Sequence, residues 1–238
     1  ADTLYSQIIS ETVKVSSPET AEATKLMENI FRAVNIAMVN ELKLIFERMD
    51  INIWEVIEAA NSKPFGFMPF YPGPGMGGHC IPIDPFYLSW KAKEFNTEAK
   101  FIELAGEVNR KMTENVAHRI GKALNDHSKS IRKSNILMLG LAYKKDIDDM
   151  RESPALKIAE LLRFKGANIS YHDPYINDAK ELEFVELNKE SLRKADAVVI
   201  TTDHSNVDYE MVGKYARLII DTRNVMAGVK NPKADVLR

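Results

Sequence analysis

The chain has 238 residues, 45% of them hydrophobic, with a formal net charge of −2. That length suits one or two domains, and the apolar fraction is enough for packed cores. The charge pattern offers no basic face for nucleic acid, and no apolar run approaches the ~20 residues of a membrane-spanning helix.

The N-terminus, Ala-Asp-Thr-Leu-Tyr-Ser, carries neither the basic nor the apolar region of a signal peptide. It lacks an initiator Met and opens as if within a helix, so the chain reads as a fragment of a longer protein. Cys80 is the only cysteine. An intramolecular disulfide is thereby excluded, which fits a reducing cytosol. Residues 13–16 read as a strand end. Ser17 and Pro18 then form a cap and first-turn pair. The helix they open spans about 18–49, with Leu26, Ile30, Phe31, Val34, Met38, Leu42 and Ile45 at helical spacing. About 30 residues make ~45 Å of helix. A helix this long bridges two domains or packs against a partner chain.

Asn52, with Glu55 three residues on, starts a second helix that runs to about Asn61. The Pro- and Gly-rich segment 64–78 is loop. Asp84-Pro85 starts a third helix, ending near Phe95, and a fourth covers about 98–126. Lys129–Lys133 reads as a linker, after which the pattern changes. Ile136–Leu139, Ala167–Tyr171, Ala197–Thr201 and Leu218–Asp221 are buried-type strands, separated by helical pieces such as the one opened by Ser153-Pro154. Strands alternating with helices imply a doubly wound parallel α/β domain over 130–238, preceded by an all-helical one.

Residues 71–85 concentrate the chemistry. Glycines at 73, 75, 77 and 78 let backbone approach a ligand closely, and Cys80 follows them just before a helix start. The positive end of a helix dipole favours the thiolate, the reactive form of cysteine. A lone cysteine is usually an inert small hydrophobe, but the glycine density marks Cys80 as a nucleophile. Asp84 serves equally as a helix cap or as a neighbour of Cys80. On the long helix, Lys25 and Asn29 share a face one turn apart, with Glu22 and Asn40 within ~60° of Lys25. This stripe reads as solvated surface or as part of a site. Five scattered histidines and one cysteine give no metal-ligand spacing. A Cys–His acyl-transfer site would need His118 or His172 beside Cys80.

The turn after the first strand, Gly140-Leu-Ala-Tyr-Lys-Lys-Asp146, is not Gly-x-Gly-x-x-Gly, so a dinucleotide is not expected there. Ligands nonetheless bind at the carboxyl ends of parallel strands. Tyr143, Lys144, Lys145, Arg151 and Arg223 lie near such ends, able to stack on a base and neutralise phosphate.

Glu19–Glu41, the Gly77-Gly78-His79-Cys80 loop with Asp84, and Gly140–Ser153 together resemble the UDP-glucose/GDP-mannose dehydrogenase family over nearly the whole chain. The wording of Pro69–Trp90 is most similar to the UDP-N-acetylglucosamine 6-dehydrogenases within it. The resemblance implies a remnant of an N-terminal NAD-binding domain at 1–16, a central helical dimerisation domain at 17–126 and a C-terminal UDP-sugar-binding domain at 127–238. It implies a cytoplasmic homodimer, joined through the long helix, that works in polysaccharide biosynthesis.

For the complete enzyme it further implies NAD-dependent, four-electron oxidation of a C6 alcohol to the acid. Cys80 would carry a thiohemiacetal and then a thioester. Lys25 and Asn29 would stabilise the oxyanion, and Asp84 would activate water. Tyr71, Gly73, Gly75 and Gly77 would hold pyrophosphate and sugar, Tyr143 and Lys144 the uridine end, and Arg223 the pyrophosphate. The isolated chain, without an NAD site, is expected to be inactive.

Overall fold

A computed structural model of the chain describes residues 2–238. A short helix α1 (Asp2–Tyr5) leads into irregular chain. The strand end expected at 13–16 is absent: Val13 and Val15 are exposed, and no neighbouring strand offers a ladder to pair with.

The long helix α2 (Pro18–Arg48) starts where the Ser-Pro pair places it, with the Ser17 Oγ accepting the Thr20 N–H at 3.2 Å. Next comes α3 (Ile53–Asn61), capped by Asn52, whose side chain accepts the Trp54 N–H. The helices α4 (Cys80–Glu94) and α5 (Lys100–Asp126) pack on α2. The start of α4 corrects the expectation. Pro82 falls in its first turn, where the missing N–H has no intrahelical partner to lose. The helix therefore begins at Cys80 rather than at Asp84, and Pro85 lies inside it.

The α/β half holds β1 (Asn135–Leu139), α6 (Pro154–Phe164), β2 (Asn168–His172), β3 (Glu183–Phe184), α7 (Lys189–Lys194), β4 (Ala197–Ile200), α8 (Tyr209–Tyr215), β5 (Leu218–Asp221) and β6 (Asp235–Leu237). The strands form one parallel sheet in the order β3-β2-β1-β4-β5-β6. Chain direction across the sheet reverses between β1 and β4, which opens the crevice where doubly wound sheets take ligands.

The sheet is covered on both faces. Ile136 and Met138 pack with α6 and the C-terminal half of α5, while Leu137 and Leu139 face Leu192 and Val212 on α7 and α8. Val116, Ile120 and Leu124 of α5 share a core with β1, so this helix joins the helical and α/β halves.

Candidate active site

The glycine loop is anchored from the helical side by two buried amides. Asn40 on α2 accepts the Gly73 N–H at 2.9 Å on its Oδ1 and donates to Asn109 Oδ1 of α5 at 2.9 Å. Asn109 in turn donates to the Ala33 carbonyl at 3.2 Å. Both amides are almost fully buried, so each bond holds a group that would otherwise be orphaned.

From this anchor the loop crosses to the C-terminal ends of the strands. At Gly73 a Cβ would stand 2.7 Å from the Arg223 Nη1, and at Gly77 one would stand 2.6 Å from the Tyr143 Cβ and 2.9 Å from the Glu152 carbonyl. Close approach requires glycine at 77, where backbone stands in the way, whereas at 73 a Cβ would displace the end of the Arg223 side chain. Arg223 follows β5 and is fixed by its Nε donating to the Thr201 carbonyl at 2.8 Å. Gly75 lies against Pro154 and Thr113. The Gly78 N–H donates to the Arg151 carbonyl at 2.9 Å.

Cys80 is exposed at the first position of α4. The Arg151 guanidinium is gripped by the Asp149 carboxylate, with Nη2 at 2.6 Å from Oδ2. That pairing, with Tyr143 and Cys80 nearby, raises the Arg151 pKa, and it holds the Asp149 carboxyl below the ordinary carboxylate range. Asp84 does not cap a helix: it accepts the Asn29 Nδ2 on its Oδ2 at 2.9 Å, across 55 residues of sequence. Asn29 is buried and also accepts from the Arg32 Nη2 at 2.6 Å.

Two expected residues stand apart. Lys25 is exposed and paired with Glu28 at 3.0 Å. The Tyr71 hydroxyl donates to Glu58 Oε1 at 2.7 Å, and its ring stacks on Trp54 at 5.9 Å. Lys144 and Lys145 are exposed. His118 is exposed on α5 and the His172 Nδ1 sits against the Val185 carbonyl at 3.1 Å, so neither is bonded to Cys80. Sequence reasoning missed Asn109, the Asp149 partner of Arg151, and a buried pair, Asp173 and His204, behind the Tyr143 turn. The sequence signal for the last was a histidine following a fully apolar strand.

Two family models match the chain: "UDP-glucose/GDP-mannose dehydrogenase family, central domain" over residues 19–111, and the same family's "UDP binding domain" over 137–228. The chain belongs to the UDP-glucose/GDP-mannose dehydrogenase family. The UDP-N-acetyl-D-mannosamine dehydrogenase of Pyrococcus horikoshii is 38% identical over 95% of this chain and 53% of its own length. The NDP-N-acetyl-D-galactosaminuronic acid dehydrogenase of Ralstonia solanacearum is 37% identical over 94% of this chain and 52% of its own. A solved structure of the Pyrococcus horikoshii UDP-D-ManNAc dehydrogenase superposes with a TM-score of 0.85 at 36% identity, covering 97% of this chain and 54% of that one.

This chain thus spans about half the length of the curated relatives it matches. The names of these family members give the expected glucosamine preference no support. The wording of the glycine loop pointed to N-acetylglucosamine enzymes, whereas these relatives carry the names of mannosamine and galactosaminuronic acid dehydrogenases. The sugars in these names are epimers, differing only in the direction of one hydroxyl or amide, which the wording of a loop does not encode.

Proposed function

We propose that the complete protein is an NAD-dependent nucleotide-sugar 6-dehydrogenase, and that this chain supplies its nucleophile, its UDP-sugar site and its dimer contact. The observation that carries the reading is the seating of the Gly73–Gly78 loop, with Cys80 at its end, over the carboxyl ends of β1 and β5. Residues 127–238 bind the nucleotide, residues 17–126 carry Cys80 and the dimer helix, and 1–16 lead in from the cofactor-binding part.

In the complete enzyme two NAD in succession would each accept one hydride, the first from the sugar alcohol and the second from the thiohemiacetal. The sheet of this chain does not fit NAD. The turn after β1 has one glycine where a dinucleotide cradle needs several, and Gly140 is closed over by Thr202, 2.6 Å from where a Cβ would stand.

In this reading the Cys80 thiolate bonds to C6 of the aldehyde formed from the sugar alcohol, and the carbonyl electrons move to oxygen. The Asn29 amide and the Lys25 ammonium stabilise that oxyanion. Lys25 must leave Glu28 to do so, and an exposed pair of that kind is worth little. Asp84, oriented by Asn29, takes the proton of the water that adds to the thioester carbonyl, and cleavage of the C–S bond releases the carboxylate and the Cys80 thiolate. Tyr71 and the backbone at Gly73, Gly75 and Gly77 hold the sugar and pyrophosphate, Arg223 the pyrophosphate, and Tyr143 and Lys144 the uridine.

The substrate class is a UDP-N-acetylhexosamine. The loop wording supports the glucosamine epimer, and the relatives' names support the mannosamine one. A homodimer is supported by α2: Met27, Phe31, Met38 and Ile45 are exposed and fall within ~40° of one another on the helix face opposite its buried residues. A cytoplasmic location is supported by the single cysteine. No helix of the described residues is long and apolar enough to cross a membrane.

The test uses the full-length protein, NAD and the UDP-activated N-acetyl derivatives of glucosamine, mannosamine and galactosamine. The expected result is two NADH per sugar with one epimer preferred at least about tenfold, and loss of acid formation in Cys80→Ser. Full turnover by Cys80→Ser, or oxidation of none of the three, refutes the reading.

A further inference from the structure

The Tyr143–Lys145 turn is held at both ends by one buried pair. Asp173, just past β2, is 2% exposed. Its Oδ2 accepts the N–H groups of Leu141 at 2.6 Å and Ala142 at 3.1 Å, at the start of the turn. Its Oδ1 accepts those of Tyr175 at 2.9 Å and Ile176 at 3.2 Å. Burial would raise its carboxyl pKa, but the His204 bond and the backbone N–H groups of Tyr175, Leu141 and Ala142 outweigh it and hold the carboxyl below the ordinary range.

His204, after β4, has no exposed surface. Its Nε2 lies 3.1 Å from the Asp173 Oδ2, and its Nδ1 lies 3.0 Å from the Asp146 backbone nitrogen at the far end of the turn. A backbone N–H only donates, so Nδ1 accepts and Nε2 carries the proton toward Asp173. The Asp146 carboxylate then accepts the N–H and hydroxyl of Ser205, both at 2.7 Å. Between these anchors hang Tyr143, Lys144 and Lys145. The strands below have their own backbone ladder, with Leu137 paired to Val198 and Leu139 to Ile200, and need no side-chain clamp.

We propose that His204 and Asp173 are the positioning pair of the nucleotide-binding turn: the imidazole, too buried to touch a ligand, fixes Asp146 directly and Leu141–Ala142 through Asp173, so that Tyr143 and Lys144 meet uridine diphosphate preorganised. The proposal rests on the reading of this turn as a UDP site. A preorganised turn binds without the entropy cost of ordering it.

The experiment titrates UDP calorimetrically into the chain and three variants, with amide hydrogen exchange followed over residues 141–149 and over β1 and β4. His204→Gln keeps one acceptor and one donor at imidazole-like spacing; it should bind UDP within about threefold of the parent. His204→Leu should bind at least about tenfold more weakly. Exchange over 141–149 should quicken while β1 and β4 stay protected. If His204→Leu does not fold, His204→Asn, too short to bridge both partners, carries the same expectation. Parental UDP affinity in the Leu or Asn variant, or equal loss in the Gln variant, overturns the proposal. Unchanged exchange over 141–149 does so as well. Failure of the parent chain to bind UDP sinks the UDP reading instead, and the clamp is then judged by exchange alone.

Discussion

Replacing Asn40 by Leu should loosen the glycine loop and weaken the whole chain. Leu keeps the heavy-atom count and branching of the side chain, with somewhat more bulk, but removes the amide. Two groups lose their partners: the Gly73 N–H and the Asn109 Oδ1, both at 2.9 Å in the native structure. Asn40 has no exposed surface and Asn109 is 4% exposed, so water does not replace the lost bonds. An orphaned buried polar group costs ~1–3 kcal/mol, which puts the substitution at about 2–6 kcal/mol. The Asn109 Nδ2 keeps its bond to the Ala33 carbonyl, which limits how far that amide can turn to recover. In the double variant Asn40→Leu/Asn109→Leu one of the two orphans is gone, so roughly half of the loss should return. Urea unfolding of the parent, both single variants and the double variant measures this directly, and limited proteolysis at 64–79 reports the loop. A single variant within ~0.5 kcal/mol of the parent, with an unchanged loop cleavage rate, would refute the assignment of Asn40 as the anchor.

Lys43 is 7% exposed; burial, then the Arg119 charge, push its ammonium down to about 8 from an unfolded value near 10.5. Below pH 8 it is charged in both states and costs about 3 kcal/mol; between pH 8 and 10.5 the unfolded chain holds a proton the folded one lacks, so stability rises with pH. Lys43→Met should therefore stabilise the chain at pH 7, with a gain that shrinks toward pH 10 in thermal melts; a pH-independent gain contradicts this. Phe31→Glu with Met38→Glu should give monomer or insoluble protein by light scattering, and a well-behaved monomer from the unmutated chain refutes the two-fold contact. Gly77→Ala drives a Cβ into Tyr143 and the Glu152 carbonyl, and should cost ~1–3 kcal/mol in urea unfolding and lower UDP affinity; native behaviour of this variant would show that the loop does not sit on the turn.

Local chemistry made much of the fold legible. Ser17-Pro18 and Ser153-Pro154 marked two helix starts to the residue, and Asn52 a third. The four central strands stood out between Gly and helix signals, β1, β4 and β5 as apolar runs and β2 by its alternation. What escaped was short or half-exposed. β3 has two residues, and β6 starts at an exposed Asp235 on the sheet edge. Pro85 looked like a helix start because proline is commonest there, yet Pro82 already occupied a tolerant first-turn position. Cys80, Asn29 and Asp84 were each visible as candidates, but the bond joining Asn29 to Asp84 spans 55 residues and only tertiary packing makes it. The approach of Arg223 to Gly73 and the Asp173–His204 pair are equally non-local: the residues that meet carry no periodicity or spacing in common.

In the function proposed above, this chain presents a nucleotide-sugar site where the glycine loop meets the ends of the parallel strands. Isothermal titration of the unmodified chain with UDP and, separately, with NAD tests it most directly. The expected result is saturable binding of UDP, weakened by Lys144→Ala and by Arg223→Ala, and no binding of NAD. Binding of NAD, or no binding of UDP by a folded chain, would contradict it.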